Sequence, residues 1–316
     1  MAETETLREE LSQWRWLLVV AAAQETGMIA ALASGTLALD DLVERLGLDR
    51  RAAYVIAEAL VAGGFAEAKD GGYRLAPAAR RLLVDESDEA YLAPSVLHSR
   101  DLIARWLQLP GVLKGVRPEP RPGMRRSPAT FIGTMAVGAR ASAAAVVERC
   151  LARFPAAKSV LDVGGGPGVH AGALLARGLA VTILDLPDVI DLVRTRWAGT
   201  DGVTLVPGDF TVGLPPGPFD LVLLGNVCHI YGPAENQRLF ARVAGVLRPG
   251  GGVAILDFVR GRSVTAALFG VNMLAGSGGT WTEAEYRDWL AAAGFTAITV
   301  EDLNGPERQL ILGQKA

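Results

Sequence analysis

The run Val160-Leu161-Asp162-Val163-Gly164-Gly165-Gly166-Pro167-Gly168 reads as an apolar strand that ends in an acid and turns through glycines into a helix. Glycines at such a turn let the backbone bend tightly and let a ligand approach without side-chain obstruction. Gly166-Pro167-Gly168-Val169-His170-Ala171 matches the loose G-x-G-x-x-A form of a dinucleotide site. A carboxylate at the strand end, however, would repel a pyrophosphate and suits a cation. A second acid, Asp185, closes Leu184-Asp185-Leu186-Pro187, 23 residues after Asp162. There it can accept from ribose hydroxyls or cap the helix that Pro187 begins. Two further ionisable residues stand just beyond apolar runs: His229, after Phe219–Leu224, and Asp257, after Val253–Leu256. If those strands are neighbours, Asp257 can orient His229. An imidazole with a pKa of about 6.5 can then act as general base. Cys228 beside it reads as a small packed residue.

These residues need a scaffold that brings strand ends together. From Ala157 onward, short apolar runs (159–163, 180–184, 203–206, 221–224 and 253–256) alternate with helical stretches at 169–177, 187–197 and 233–247. That order predicts a parallel sheet covered by helices on both faces. In such a sheet the carboxyl ends of adjacent strands open into one crevice. Thr282-Glu283-Ala284-Glu285 is a capping box that starts one more helix, and closing strands are expected near 297–300 and 309–313. Before Ala157 the chain is mostly helical. Thr36–Leu60 predicts two helices around a turn at 47–49. Two short strands follow around Asp70-Gly71-Gly72, a helix-turn-helix with a hairpin that together make a winged helix. The proline-rich stretch 115–128 is a loop, either a cover over a pocket or a surface connection.

Composition narrows the possible functions. The chain has 316 residues, enough for two domains, and half of them are hydrophobic, so a sizeable core is available. A net charge of −3 argues against a polyanion as main partner. Two cysteines, Cys150 and Cys228, cannot build a disulfide framework or a Cys-rich zinc site, and with three histidines no metal site is expected. Glu3, Glu5, Glu9 and Glu10 have the wrong sign for a signal peptide, and the apolar run 16–23 is too short to cross a bilayer. A cytoplasmic protein without membrane contact is expected.

The glycine turn resembles the first motif of the class I S-adenosylmethionine-dependent methyltransferases, whose cofactor carries an ammonium and a sulfonium. The whole chain is similar to the O-methyltransferase family typified by plant caffeic acid and isoflavone enzymes, with bacterial members that act on natural-product hydroxyls. The resemblance implies a Rossmann-like α/β methyltransferase domain over 96–316, its sheet mostly parallel with the last strand antiparallel. It also implies a mainly α winged-helix domain over 1–95 that forms a homodimer. Residues 96–156 would be connecting helices that line the acceptor pocket. S-adenosylmethionine, leaving as S-adenosylhomocysteine, would be held by Asp162, Gly164, Gly166, Gly168, Asp185, Leu186, Gly208, Asp209, Phe210 and Asn226. In that fold Asp209 lies beside adenine and Phe210 can pack on its ring, although a simple loop acid also fits Asp209. Asn226-Val227-Cys228-His229 falls where the family carries its catalytic histidine, and Asp257 where it has a flanking acid. Phe131, Met135, Asn272 and Met273 would line the acceptor pocket, with His98 and Trp106 as further candidates. Trp14 and Trp16 lie in the helix the family uses at its dimer interface, where core packing is the competing reading.

Two departures stand out. Ile230 follows the histidine where many members have an acid, and Thr280 stands where a second flanking glutamate is usual. They keep open a carbon or nitrogen acceptor, or a relative that binds the cofactor without methylating. A winged-helix DNA-binding regulator is a separate alternative. Its would-be recognition helix continues from Arg50-Arg51 as Ala52-Ala53-Tyr54-Val55-Ile56-Ala57, apolar on too many sides for a groove. His170, in the first turn after the glycines, reads as a surface or packing residue, and Met273 and Trp281 could equally be core.

Overall fold

Strands and helices alternate from Ser159 onward and close into a seven-stranded sheet. The computed structural model describes residues 14–88, 90–116, 128–274, 276–305 and 307–316. The chain divides into two compact units, Met1–Ala104 and Arg105–Ala316.

In the first unit, α1 (Trp14–Glu25), α2 (Met28–Ala33), α3 (Leu39–Leu46) and α4 (Arg50–Ala62) precede the hairpin β1 (Ala66–Lys69) and β2 (Gly72–Leu75) and the short α5 (Pro77–Leu83). Gly47 ends α3 at a φ of 64°, a left-handed conformation that glycine adopts without a Cβ penalty. Asp49 then caps α4 by accepting from the Ala52 amide at 2.8 Å. Leu32, Leu42 and Leu60 fill the core between these elements. On α4, Tyr54 and Val55 are about half exposed, and so is Trp14 on α1. Trp16 is 42% exposed and lies against Gly63, where a Cβ would come within 2.5 Å of the indole. The next helix, α6 (Ala93–Trp106), carries His98 and runs across the division between the units.

In the second unit, α7 (Leu109–Val112) and the long α8 (Pro128–Arg153) come before the sheet. Residues 117–127, most of the proline-rich stretch, lie outside the described residues. The remaining elements are β3 (Ser159–Val163), α9 (Val169–Leu175), β4 (Ala180–Asp185), α10 (Pro187–Trp197), β5 (Val203–Pro207), β6 (Phe219–Gly225), α11 (Pro233–Val246), β7 (Leu247–Asp257), α12 (Val264–Asn272), α13 (Glu283–Ala292), β8 (Phe295–Asp302) and β9 (Gln309–Lys315). The strand order is β5-β4-β3-β6-β7-β9-β8, and β9 alone runs against the others.

The side-chain period of two explains why the strands are apolar throughout. Leu161, Val163, Val222 and Leu224 face one layer, with Phe240 and Val243 of α11 and Tyr286 and Leu290 of α13. Val160, Val181, Leu221 and Leu223 face the other, with Val146 and Cys150 of α8, Leu174 of α9 and Ile190 of α10. β7 begins six residues earlier than the apolar run at 253–256 requires. Its Arg248–Gly252 segment looks like a turn in the sequence but stays in the strand through an irregularity in its pairing with β6. Gly252 is required there, because a Cβ would lie 2.4 Å from the Phe154 ring. The chain winds outward from β3 through β4 to β5, then returns to β6 on the other side of β3. The strand order therefore reverses at β3, where α/β sheets open their ligand crevice.

Candidate active site

β3 brings Asp162 to the crevice with 1% of its surface exposed, and its Oδ2 has no hydrogen-bond partner. Burial, and secondarily the charge of Asp185, pushes its carboxyl up to about 7. The turn that follows holds Gly164, Gly166 and Gly168 at φ values of 66°, 50° and 69°. At Gly164 a Cβ would lie 2.9 Å from Val227 Cγ2 and 3.6 Å from the Phe210 ring. At Gly168 it would come within 2.7 Å of the Trp197 indole, so both positions demand glycine.

Asp185 ends β4. Its Oδ2 accepts from the Gly166 amide and its Oδ1 from the Leu186 amide, each at 2.7 Å. The carboxylate therefore ties the glycine turn to the start of α10 and keeps lone pairs on both oxygens. Burial raises its pKa, and those two amides work against the rise. After β5, the Gly208 amide donates to the Asp185 carbonyl at 2.9 Å. Asp209 is exposed, and its Oδ1 accepts from the amide and hydroxyl of Thr211, whose hydroxyl hydrogen bond holds its pKa below the usual range. Phe210 meets the Tyr231 ring edge-on at 5.5 Å.

β6 and β7 pair in parallel, which sets His229 and Asp257 side by side at their carboxyl ends. His229 Nδ1 lies 2.7 Å from Asp257 Oδ1, and the His229 amide donates to Asp257 Oδ2 at 3.0 Å. The Phe258 amide and the Tyr286 hydroxyl also donate to this fully buried carboxylate, at 2.8 and 3.2 Å. A charge buried that completely is tolerable only with such partners. The turn carrying His229 is itself pinned. Asn236 donates to the carbonyls of Cys228 and Tyr231, the Trp281 indole donates to Cys228 O, and the Gly279 amide donates to His229 O. Phe269 of α12 meets the imidazole edge-on at 4.7 Å. With Nδ1 held by Asp257, Nε2 is the nitrogen left to take a proton. The adjacent Cys228 thiol is pushed well above its ordinary pKa, first by burial and then by Asp257, and is fully buried.

Of the acceptor-side candidates, Asn272 at the end of α12 accepts from the Trp106 indole at 2.5 Å, across 166 residues of sequence. Met273 follows Asn272, and Met135 is half-buried on α8. Phe131 lies in α8, but its side chain is outside the described residues. Thr280 is 3% exposed.

Two residues at the crevice carried no such signal in the sequence. His170 is buried, not at the surface, and its ring lies against Gly225 at the end of β6. Arg308, at the turn into β9, donates to Asn226 Oδ1 at 2.9 Å. Asn226 itself sits in the left-handed region at a φ of 60°.

The crevice fits a cationic nucleoside. It offers a buried acid without a partner, a second acid with spare lone pairs and a glycine-lined approach. A pyrophosphate would meet two carboxylates there. Among the described residues no group of side chains could hold a metal ion, and no helix is long and apolar enough to cross a membrane.

Residues 127–296 match the family model of the O-methyltransferase domain. The chain is 31% identical to the tetracenomycin polyketide synthesis 8-O-methyl transferase TcmO of Streptomyces glaucescens, covering 93% of this chain and 91% of the relative. It is 29% identical to the 3-hydroxy-5-methyl-1-naphthoate 3-O-methyltransferase of Streptomyces sahachiroi, over 98% and 95%. Human N-acetylserotonin methyltransferase, solved in complex with SAM, shares the fold at a TM-score of 0.84 and 20% identity, over 100% of this chain and 98% of that one. The chain belongs to the O-methyltransferase family. It is by that membership an S-adenosylmethionine-dependent methyltransferase.

Proposed function

We propose that this enzyme methylates a hydroxyl of a small aromatic or polyketide-like acceptor, with His229 as general base. The observation that carries the reading is the double hold of Asp257 on His229, through Nδ1 at 2.7 Å and the backbone amide at 3.0 Å. With Asp257 taking the Nδ1–H, Nε2 is the nitrogen left to accept a proton. The names of the naphthoate and tetracenomycin relatives support the acceptor class and a role in secondary metabolism.

When bound, S-adenosylmethionine supplies an electrophilic methyl group on a sulfonium. Asp162 and the glycine turn would hold its cationic amino-acid end, Asp185 with Leu186 its ribose, and Gly208, Asp209, Phe210 and Asn226 its remaining surface. His229 Nε2 takes the hydroxyl proton as the acceptor oxygen forms its new bond, and the Asp257 carboxylate offsets the charge that the ring acquires. Met135, Asn272 and Met273, with Trp106 bonded to Asn272, align the acceptor. Rigid alignment is the main demand of a direct displacement. The enzyme works in the cytoplasm as a homodimer joined through its N-terminal unit, and the half-exposed Trp14, Tyr54 and Val55 support that assembly.

The test is incubation with methyl-labelled S-adenosylmethionine and a panel of hydroxynaphthoates and hydroxylated polyketide aromatics. Labelled methyl ether is the expected product. Label on carbon or nitrogen, or cofactor binding with no product from any hydroxyl acceptor, would refute the reading.

A further inference from the structure

Arg308 is a cation in an uncommon position. The β8–β9 turn that carries it is closed by the Leu303 amide donating to Arg308 O at 2.9 Å. Gln309, next in sequence, accepts from the Val259 amide at 2.9 Å. The guanidinium is thereby delivered to the carboxyl ends of β6 and β7. Its Nη1 donates to Asn226 Oδ1 at 2.9 Å, and its carbon stands 4.7 Å from the centroid of Phe258. Phe258 is stacked on Phe269 at 4.0 Å, and Phe269 meets the His229 ring at 4.7 Å. Nη2 would lie 3.6 Å from a Cβ placed on Gly138 of α8. Arg308 thus reaches the crevice between the glycine-turn side and α8.

The guanidinium has five N–H donors in a fixed fork, and the hydrogen bond to Asn226 uses one nitrogen. Beside it, His170 is 6% exposed and its Nε2 has no hydrogen-bond partner. Burial, and then the charge of Arg308, lowers the imidazole pKa to about 4, so the ring is neutral and its Nε2 is open to a ligand. Burial likewise lowers the pKa of Arg308 itself. A half-buried fork with spare donors near an imidazole whose Nε2 has no partner is the pattern that a planar, two-oxygen anion completes.

We propose that Arg308, with His170 beside it, is a carboxylate-recognition point of the catalytic crevice. The carboxylate comes either from the amino-acid end of the cofactor or from an acidic group on the acceptor. The proposal rests on the functional reading above, because it takes the crevice to hold both molecules.

Calorimetric titration of the full chain separates these cases. Wild type, Arg308→Met and Arg308→Lys are each titrated with S-adenosylhomocysteine and with 5′-methylthioadenosine, which lacks the amino-acid end. They are titrated in parallel with 3-hydroxy-1-naphthoate and its carboxamide. A carboxylate from the cofactor predicts that Arg308→Met loses roughly 10–100-fold in affinity for S-adenosylhomocysteine and stays within about twofold for methylthioadenosine. A carboxylate from the acceptor predicts the same loss for the naphthoate alone, with the carboxamide unaffected. In either case Arg308→Lys recovers part of the loss. Equal losses for carboxylated and uncarboxylated ligands, or no loss for any of them, overturn the proposal, because a purely structural arginine does not distinguish the members of a pair. Wild-type protein that binds neither nucleoside would overturn the functional reading and this proposal with it.

Discussion

Replacing Asp162 by Asn separates what this acid does for the cofactor from what it costs the fold. Its carboxyl is raised from 3.8 to about 7, chiefly by burial. The native state therefore holds a proton between these values that the unfolded chain releases. In that window the unfolded chain binds fewer protons, so stability falls as pH rises from about 4 to 7 and stays lowered above it. A shift of that size corresponds to roughly 4 kcal/mol at pH 8. An amide N–H in place of the unpartnered Oδ2 gives back about 1–2 kcal/mol of this. Ligand-free Asp162→Asn should thus be more stable than wild type by about 2 kcal/mol at pH 8, with the advantage shrinking as pH falls below 7 and nearly gone by pH 5. Urea unfolding followed by circular dichroism at pH 5 and pH 8 measures it. The same variant should bind S-adenosylhomocysteine more weakly, because the partner of its cationic end is gone. A variant no more stable than wild type at pH 8, with a stability gap that does not change with pH, would refute the idea of a buried acid waiting for a cation.

Three further outcomes follow from the geometry. Asp185→Ala removes the acceptor of the Gly166 and Leu186 amides, so S-adenosylhomocysteine binding should weaken by about 1–3 kcal/mol in a calorimeter; unchanged affinity would count against the ribose role. Gly168→Ala places a Cβ 2.7 Å from the Trp197 indole at a φ of 69° and should destabilise the fold by about 1–3 kcal/mol, read as a lowered Tm. Tyr286→Phe removes one of the donors to Asp257 at 3.2 Å, so turnover should fall several-fold with cofactor affinity unchanged; a selective loss of cofactor affinity would contradict the assignment.

Much of the site could be read from the sequence because its signals are local. The glycine turn, Asp185 before Pro187 and Asp257 each follow an apolar run directly, and His229 stands a few residues beyond one. The rule that parallel strand ends share a crevice then joins them. Arg308 had no such signal. It reaches Asn226 only because β9 reverses beside β7, a pairing that no short window of residues encodes. His170 reads as a surface or packing residue in a first helical turn, and its burial against Gly225 is a contact between residues distant in sequence. The Trp106–Asn272 bond spans 166 residues and is equally invisible locally. The early start of β7 was hidden by Pro249 and three glycines, residues that usually mark a turn.

Proton uptake by His229 is probed by His229→Ala, assayed for methyl transfer beside a titration with S-adenosylhomocysteine. Turnover should fall by roughly 10²–10⁴-fold, with cofactor affinity within about twofold of wild type. Undiminished turnover in that variant would contradict that role.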